Sequence, residues 1–570
     1  MRSKVPADQE HIKKSLCRAV CDLIIIQELI TGDFMAIFVE SALRKARKYM
    51  QAGQSEKAAS IYVEILSKFP NNRKASTAYK KLNLGVSVTL SLDTEQVKDL
   101  VTLFNQGKFE EVLAKAYNLK NIFPKSALIF NILGAANERL KRYDEAIKNY
   151  KIALRFQPNY ADAYYNLGNV QRDMGFPEEA IDNYKKVIQI NAGYAGAYLN
   201  MGGVWKKKGE LNLAIDSYNK AIESKPDFAE AYLNLGTIFD ERGDLDAAIS
   251  SYKKALEINP HYAIAYNNMG VAFNKKADLK MAIESHKKAL IIEPNNAEAY
   301  WNLYGTSSDI TIAKKWLAKC LNSDAHNTIA KLTLAALNFY EHNEGNIKSS
   351  IDESLWDHPY TRSFSWCFSL PKLPKLYFTR WNFFDAVSKK AVPNRPFYEY
   401  GVWRGASFEY LIKIFKKGYG FDTFEGLPED WHYEKAGTYS SEGIVPKIDE
   451  GEFISGKFKD TLPEFFSVSR PMASLINFDA DLFSSTLCAL NYSKSIIDNH
   501  TILIFDEFLI NELWECDEHK ALEDFCKKND FSYEVIAVSF FTKQVAVKLL
   551  RNASSSELKA DRRCDKKMVH

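Results

Sequence analysis

Disulfide chemistry has little to work with in this chain. Its 8 cysteines (Cys17, Cys21, Cys320, Cys367, Cys488, Cys516, Cys526 and Cys564) sit at irregular positions and make neither a framework nor a CxxC pair. That usage fits a reducing compartment, so a cytoplasmic location is expected. Charge of one sign is also scarce. With 75 Lys and Arg against 72 Asp and Glu, the chain makes no electrostatic case for nucleic acid as its main partner. No apolar run approaches the roughly 18 to 20 residues of a membrane span. The most apolar N-terminal piece, Leu23 to Ile26, runs straight into Gln27 and Glu28, too short for a signal peptide. Residues 1–37 match nothing downstream, and helical patterning begins just after Met35, a candidate start.

What is present is repetition. A chain of 570 residues implies two or three domains. Pro158, Pro226, Pro260 and Pro294 keep a spacing of 34, with Ala192 on the missing beat. Ala146, Ala180, Ala214, Ala248 and Ala282 keep the same beat, as do Gly134, Gly168, Gly202, Gly236 and Gly270. Tyr150, Tyr184, Tyr218 and Tyr252 form a further series, which His286 continues. Small residues let paired helices approach, an aromatic fills the gap to the next pair, and proline ends each second helix. The pattern resembles the tetratricopeptide (TPR) family. Five units cover 125–294 and a weaker sixth begins at Asn295, so the array is placed at 125–325. Degenerate units at roughly 38–70 and 94–124 precede it, within 38–124. Asn166, Asn200, Asn234, Asn268 and Asn302 form a ladder two residues before each glycine position. In TPR proteins that place faces the groove, so a protein or peptide partner is expected there, although asparagine is also common in the consensus.

Residues 326–395 lose the beat and are dense in aromatics, from Trp356 through Phe384, broken by Pro371 and Pro374. They read as a connecting segment that packs the array's end, with an amphipathic helix at 376–390. From 396 to 551 short apolar runs alternate with helical stretches. The strand candidates are 397–401, 419–422, 452–455, 473–479, 501–506, 531–537 and 544–549. Continuous apolar strands imply a mostly parallel, doubly wound sheet, which binds ligands beyond its strands' carboxyl ends. Residues 552–570 are polar and are expected to be disordered.

Chemistry should therefore sit at the strand ends. Glu399, Gly401 and Arg404 belong to the first strand and its turn, EYGVWRG. Asp422 ends the second strand, where an acid typically takes ribose hydroxyls. There is no Walker lysine, and the glycine spacing is not GxGxxG, so phosphate cradling is disfavoured. Asp479, Asp481, Asp506 and Glu507 crowd two neighbouring strand ends, where a hard cation such as Mg²⁺ would neutralise them; helix capping is the plainer role.

The strings EYGVWRGAS (399–407), GFDTFEGLPEDW (420–431), GKFKDTLPEF (456–465), INFDADLFSST (476–486) and LIFDEF (503–508) resemble the macrocin O-methyltransferase family. That resemblance covers about 360–550. It implies a Rossmann-like class I domain that uses S-adenosylmethionine (SAM) and Mg²⁺ to methylate sugar hydroxyls. It places Glu399 and Gly401 at the methionine end of SAM and Asp422 at the ribose. Ser441, Lys457 and Phe458 would help close over the cofactor. Asp479, Asp506 and Glu507 would ligate Mg²⁺, and Asp481 would be the general base, the roles of Asp479 and Asp481 being interchangeable on sequence. The family often has aspartate where Glu507 stands. The expected architecture is thus an all-α TPR solenoid followed by an α/β methyltransferase. An inactive TPR scaffold, a methyltransferase for peptides held in the TPR groove, and homo-oligomer assembly remain open.

Overall fold

The computed structural model describes residues 39–68, 72–82, 94–342, 346–432 and 434–551. The expectations for 1–37, including Met35, and for the 552–570 tail lie outside the described residues. The chain divides into two compact units, 1–225 and 226–570, so the division falls inside the repeat array.

In the first unit, Ala127–Arg139 pairs with Tyr143–Phe156, Ala161–Asp173 with Pro177–Ile190, and Ala195–Lys207 with Leu211–Ser224. Earlier helices at Ser55–Lys68, Arg73–Leu82, Thr94–Asn105 and Phe109–Ile122 occupy the degenerate stretch. Local chemistry starts these helices: Ser126 caps one by accepting from the Ile129 amide, and Pro177 opens another at its first turn. The aromatic series shares buried clusters with the next pair, Tyr150 with Leu167 and Val170, and Tyr252 with Ala265 and Met269. It also sits on the glycine of its own pair. A Cβ on Gly202 would stand 2.6 Å from Tyr218 Cε1, so only a bare backbone accepts the ring. Gly134 and Tyr150, and Gly168 and Tyr184, repeat this seat.

The second unit carries three more pairs: Ala229–Glu241 with Leu245–Ile258, Ala263–Lys275 with Leu279–Ile292, and Ala297–Tyr304 with Ile310–Ser323. Thr328–His342 packs on the last of these, so helical stacking runs past residue 325. Beyond it lies an eight-stranded mixed sheet. Its strands are β1 (Lys375–Tyr377), β2 (Phe397–Tyr400), β3 (Gly418–Asp422), β4 (Gly451–Ser455), β5 (Leu475–Phe478), β6 (Ile502–Phe505), β7 (Phe531–Ser539) and β8 (Val545–Arg551). Their order is β1-β7-β8-β6-β5-β2-β3-β4, parallel except where β8 pairs with β6 and β7.

Alternate strand residues feed two cores, one per face. Tyr398, Phe421, Ile476 and Leu503 join a large cluster that also holds Tyr304, Leu317 and Phe364. Phe397, Leu475, Ile502 and Ile504 join Phe383, Phe384 and Phe408. The helix expected at 376–390 is shorter. Residues 375–377 form β1 along β7, and Thr379 then caps Arg380–Ser388 by accepting from the Asn382 amide. Pairing with β7 holds 375–377 extended, which delays the helical start.

The glycine seat makes a paired prediction. Gly202→Ala drives a methyl group into Tyr218 and should destabilise the first unit by about 1–3 kcal/mol. Gly203→Ala, whose Cβ meets Tyr218 Oη only at 3.8 Å, should instead stabilise it by up to about 1 kcal/mol through helix propensity. Urea denaturation of the two variants should move the midpoint in opposite directions.

Candidate functional site

The sheet reverses its winding between β2 and β5, which are direct neighbours. Gly401 follows β2 there with φ of +88°, and a Cβ on it would lie 1.7 Å from the Asp479 carbonyl oxygen. No side chain fits, so the two strand ends close tightly below a cavity of ≈ 300 Å³. Gly401, Asp422, Lys457, Phe458, Asp479, Asp481, Asp506 and Glu507 all line it.

Asp422 shapes the turn. Its Oδ2 accepts from the Val402 and Trp403 amides at 2.7 Å each, and Oδ1 accepts from the Phe424 amide at 2.7 Å. Each carboxylate oxygen takes about two donors, so Oδ1 keeps room for one hydroxyl. Glu399 lies beneath the cavity rather than on its surface, 1% exposed. Its Oε1 accepts from Asn477 Nδ2 at 3.2 Å, and Oε2 has no partner. Burial pushes its carboxyl up to about 8, against the opposing pull of Asn477 and Arg380.

The acids at β5 and β6 are compensated from within the chain. Asp506 Oδ2 accepts from Arg380 Nη2 at 2.5 Å, and Oδ1 from Gln544 Nε2 at 2.5 Å. Arg380 Nη1 lies 4.0 Å from Asp479 and donates to Ser407 Oγ at 3.2 Å. Lys543 Nζ binds Glu507 Oε2 at 2.8 Å and Asn511 Oδ1 at 2.7 Å. Among the described residues, no group of three or more His, Cys, Asp or Glu is placed to hold a metal ion. The expected ligand set of Asp479, Asp506 and Glu507 is therefore not assembled, because Arg380 and Lys543 take the oxygens a cation would need.

Two cations do not balance this cluster. Burial first, then neighbouring carboxylates, holds Asp479 and Asp481 well above the usual carboxylate range. Asp481 also has a φ of +56°, uncommon for a residue with a Cβ. Glu518 joins them unforeseen: it is fully buried, neither carboxyl oxygen has a partner, and burial and then Asp481 push it well up. Its string, DEHKALEDF, reads as an ordinary helix start, so only a strand–helix packing argument could have found it. Arg380, Trp431 and Tyr439 are further lining residues the sequence did not flag.

Two expected cofactor residues lie elsewhere. Ser441 is buried and donates to the Phe424 and Ile444 carbonyls, pinning its own loop. Arg404 lines a second cavity and not the first. The sequence placed both by proximity in a motif, whereas Gly405, at φ of +80°, turns the chain away between β2 and its helix.

The asparagine ladder is partly spent on the solenoid itself. Asn166 Nδ2 donates to Asn131 Oδ1 at 3.2 Å, and Asn200 Nδ2 to Asn169 Oδ1 at 2.8 Å. In the second unit Asn302 Nδ2 donates to Asn267 Oδ1 at 3.1 Å. Asn234 and Asn268 are half-buried.

Comparison with known proteins identifies the repeats. A TPR repeat model matches residues 139–175, 204–240 and 236–277, and a tetratricopeptide repeat model matches 161–194. No curated protein matches the chain. Among solved structures, MamA is 32% identical over 29% of this chain and 97% of its own, with a TM-score of 0.27. A MamA fragment from Desulfovibrio magneticus RS-1 is 23% identical over 30% and 96%, with a TM-score of 0.28. YrrB, described as a TPR protein with an unusual peptide-binding site, is 25% identical over 32% and 95%, with a TM-score of 0.28. This chain carries tetratricopeptide repeats, which imply protein–protein interaction. No helix among the described residues is long and apolar enough to cross a membrane.

Arg380→Ala strips the acid cluster of its closest cation and should destabilise the second unit by about 3 kcal/mol at pH 8. The raised carboxyls take up protons as pH falls, which removes the uncompensated charge. Denaturation at pH 5 should therefore show a smaller penalty than at pH 8.

Proposed function

We propose that the sheet domain is a SAM-dependent O-methyltransferase acting on a hydroxyl of a sugar or similar polyol, with the TPR repeats serving recognition. The observation that carries this reading is the cavity at the β2–β5 switch point, where open α/β sheets bind ligands. The order β4-β3-β2-β5-β6-β8-β7, with β8 antiparallel, supports a Rossmann-like, doubly wound class I domain, extended by the edge strand β1.

The residues present fit SAM. Gly401 lines the cavity where the two strand ends meet, Asp422 Oδ1 has capacity for a ribose hydroxyl, and Lys457 and Phe458 line the same cavity. Glu399, beneath the cavity with Oε2 unpartnered, would on ionising add negative charge below a bound cationic amine. They do not fit a divalent cation as well, since both Asp506 oxygens and one Glu507 oxygen are held by cationic or amide donors.

Bound SAM supplies an electrophilic methyl group on a sulfonium. The chain's own residues then need to hold an alcohol in line with that methyl and take its proton. Asp481 lines the cavity, and its raised carboxyl makes it a stronger base than an exposed aspartate. Arg380 and Gln544 hold Asp506 and Lys543 holds Glu507 by hydrogen bonds, so Asp481 is left for the proton. The protein's remaining contribution is positioning and exclusion of water. A reducing cytoplasm suits the cysteines: Cys320, Cys367, Cys488, Cys516 and Cys526 are all free.

Calorimetric titration of SAM into the full chain should show binding that Asp422→Ala abolishes and Asp422→Asn weakens, each variant being first checked for native circular dichroism. Because the carboxyl of Glu399 is raised to about 8, it is largely protonated at pH 7. A cationic amine settling beside it favours the carboxylate, so binding should release a proton at pH 7 and less at pH 9. Titration in buffers of different ionisation enthalpy reads that release, and Glu399→Gln should remove it. A folded wild-type chain that binds no SAM would instead favour a repeat scaffold with an inactive sheet domain.

A further inference from the structure

A second cavity of ≈ 1030 Å³ opens on the same acids. It shares Arg380, Trp403, Asp479 and Glu507 with the cofactor cavity, so the two meet where the methyl group would be transferred. Its opposite wall is made by the repeats of the same unit: Asp240, Asn274, His286 and Asn302. Phe541 helps hold that wall in place, filling the space over Gly305 where a Cβ would lie 2.2 Å from its ring.

Four buried polar atoms lining this chamber have no partner. Two are acceptors on the repeats, Asp240 Oδ1 and His286 Nε2; two are donors on the sheet domain, Trp403 Nε1 and Arg404 Nε. His286 stands where four other repeats have tyrosine, and it is 1% exposed. Its Nδ1 lies 2.9 Å from Asn267 Oδ1, which also accepts from Asn302, so Nδ1 carries the hydrogen and Nε2 is a bare lone pair. Burial pulls its pKa down to about 4, so the ring is neutral at physiological pH. Three ion pairs stand around the chamber, Lys275 with Asp240, Lys276 with Asp246, and Lys543 with Glu507.

Building on the methyltransferase reading, we infer that this chamber is the acceptor site, that the repeats are its far wall, and that it takes a saccharide chain longer than one ring. A hydroxyl both donates and accepts, so a polyhydroxyl chain suits a wall whose residues offer acceptors on one side and donors on the other. The volume reaches the top of the roughly 300–1,000 Å³ range that encloses drug-sized ligands, far more than one sugar ring needs. An extended peptide would call on the asparagine amides, and Asn302 has spent a donor on Asn267.

The test uses the full chain, radiolabelled SAM, a panel of neutral hexoses with their linear tetrasaccharides, and a Ser/Thr-rich peptide. His286→Tyr restores the residue of the other repeats and so keeps the fold while filling the chamber floor. At least one tetrasaccharide should be methylated with a kcat/KM tenfold or more above its hexose. His286→Tyr should raise its KM at least tenfold and leave SAM affinity unchanged. Saturation-transfer NMR with that tetrasaccharide and no SAM should show binding that the variant loses. Transfer to the peptide, equal use of free hexose, transfer to no saccharide, or indifference to His286→Tyr would overturn the inference while SAM binding stands. Absence of SAM binding would instead overturn the reading beneath it, and the NMR arm still decides the chamber.

Discussion

The second unit is organised around a charge problem. Six carboxyl groups, those of Glu399, Asp479, Asp481, Asp506, Glu507 and Glu518, lie at or beneath the strand ends, and burial penalises the ionised forms of Glu399, Asp479, Asp481, Asp506 and Glu518. Arg380 is the group that makes this tolerable. Its guanidinium spans Asp506 and Asp479 and is itself fixed by Ser407 at the start of the helix after β2. Three chain segments far apart in sequence thus converge on one cation, and the position of the edge strand β1 and its capped helix follows from that need.

Glycine does the complementary work where close approach, not charge, is the constraint. In the repeats it opens a seat for the aromatic of the same pair, and in the sheet Gly401 lets two strand ends meet. Both places exclude even a methyl group. The solenoid therefore depends on shape alone, each pair closing on itself before stacking, which suits a quasi-one-dimensional array. The sheet domain adds electrostatic constraints that reach across long sequence separations.

That difference explains what could be read in advance. The repeats were legible because a 34-residue period superposes several independent residue series, so Gly202 and Tyr218 announce themselves without a partner in view. The main strands were legible because apolar runs such as 502–505 have no other use, and acids beyond them mark the strand ends. β1 was not legible: three residues after Pro374 carry no period, and only the free edge of β7 makes them a strand. Arg380 was hidden among aromatics that read as packing. Its partner Asp506 is 126 residues away, and no local spacing encodes that pair. Ser441 and Arg404 failed in the opposite sense, since adjacency within a motif says nothing about which side of a turn a side chain leaves.

The departure from period at His286 joins the two halves of this reasoning. A repeat series conveys packing where its residues recur, and something else where one does not. Tyrosine at 252 closes on Gly236 as a purely structural ring. Histidine at 286 keeps the seat on Gly270 but trades a phenol for a neutral ring with a buried, unmatched lone pair. An unmatched acceptor costs on the order of 1–3 kcal/mol unless something donates to it. Such a cost is tolerable where a ligand removes it, and this pair is among those whose residues line the chamber with Asp479 and Glu507. The last repeats and the sheet thus line one chamber, and on the proposed reading an acceptor there would touch both.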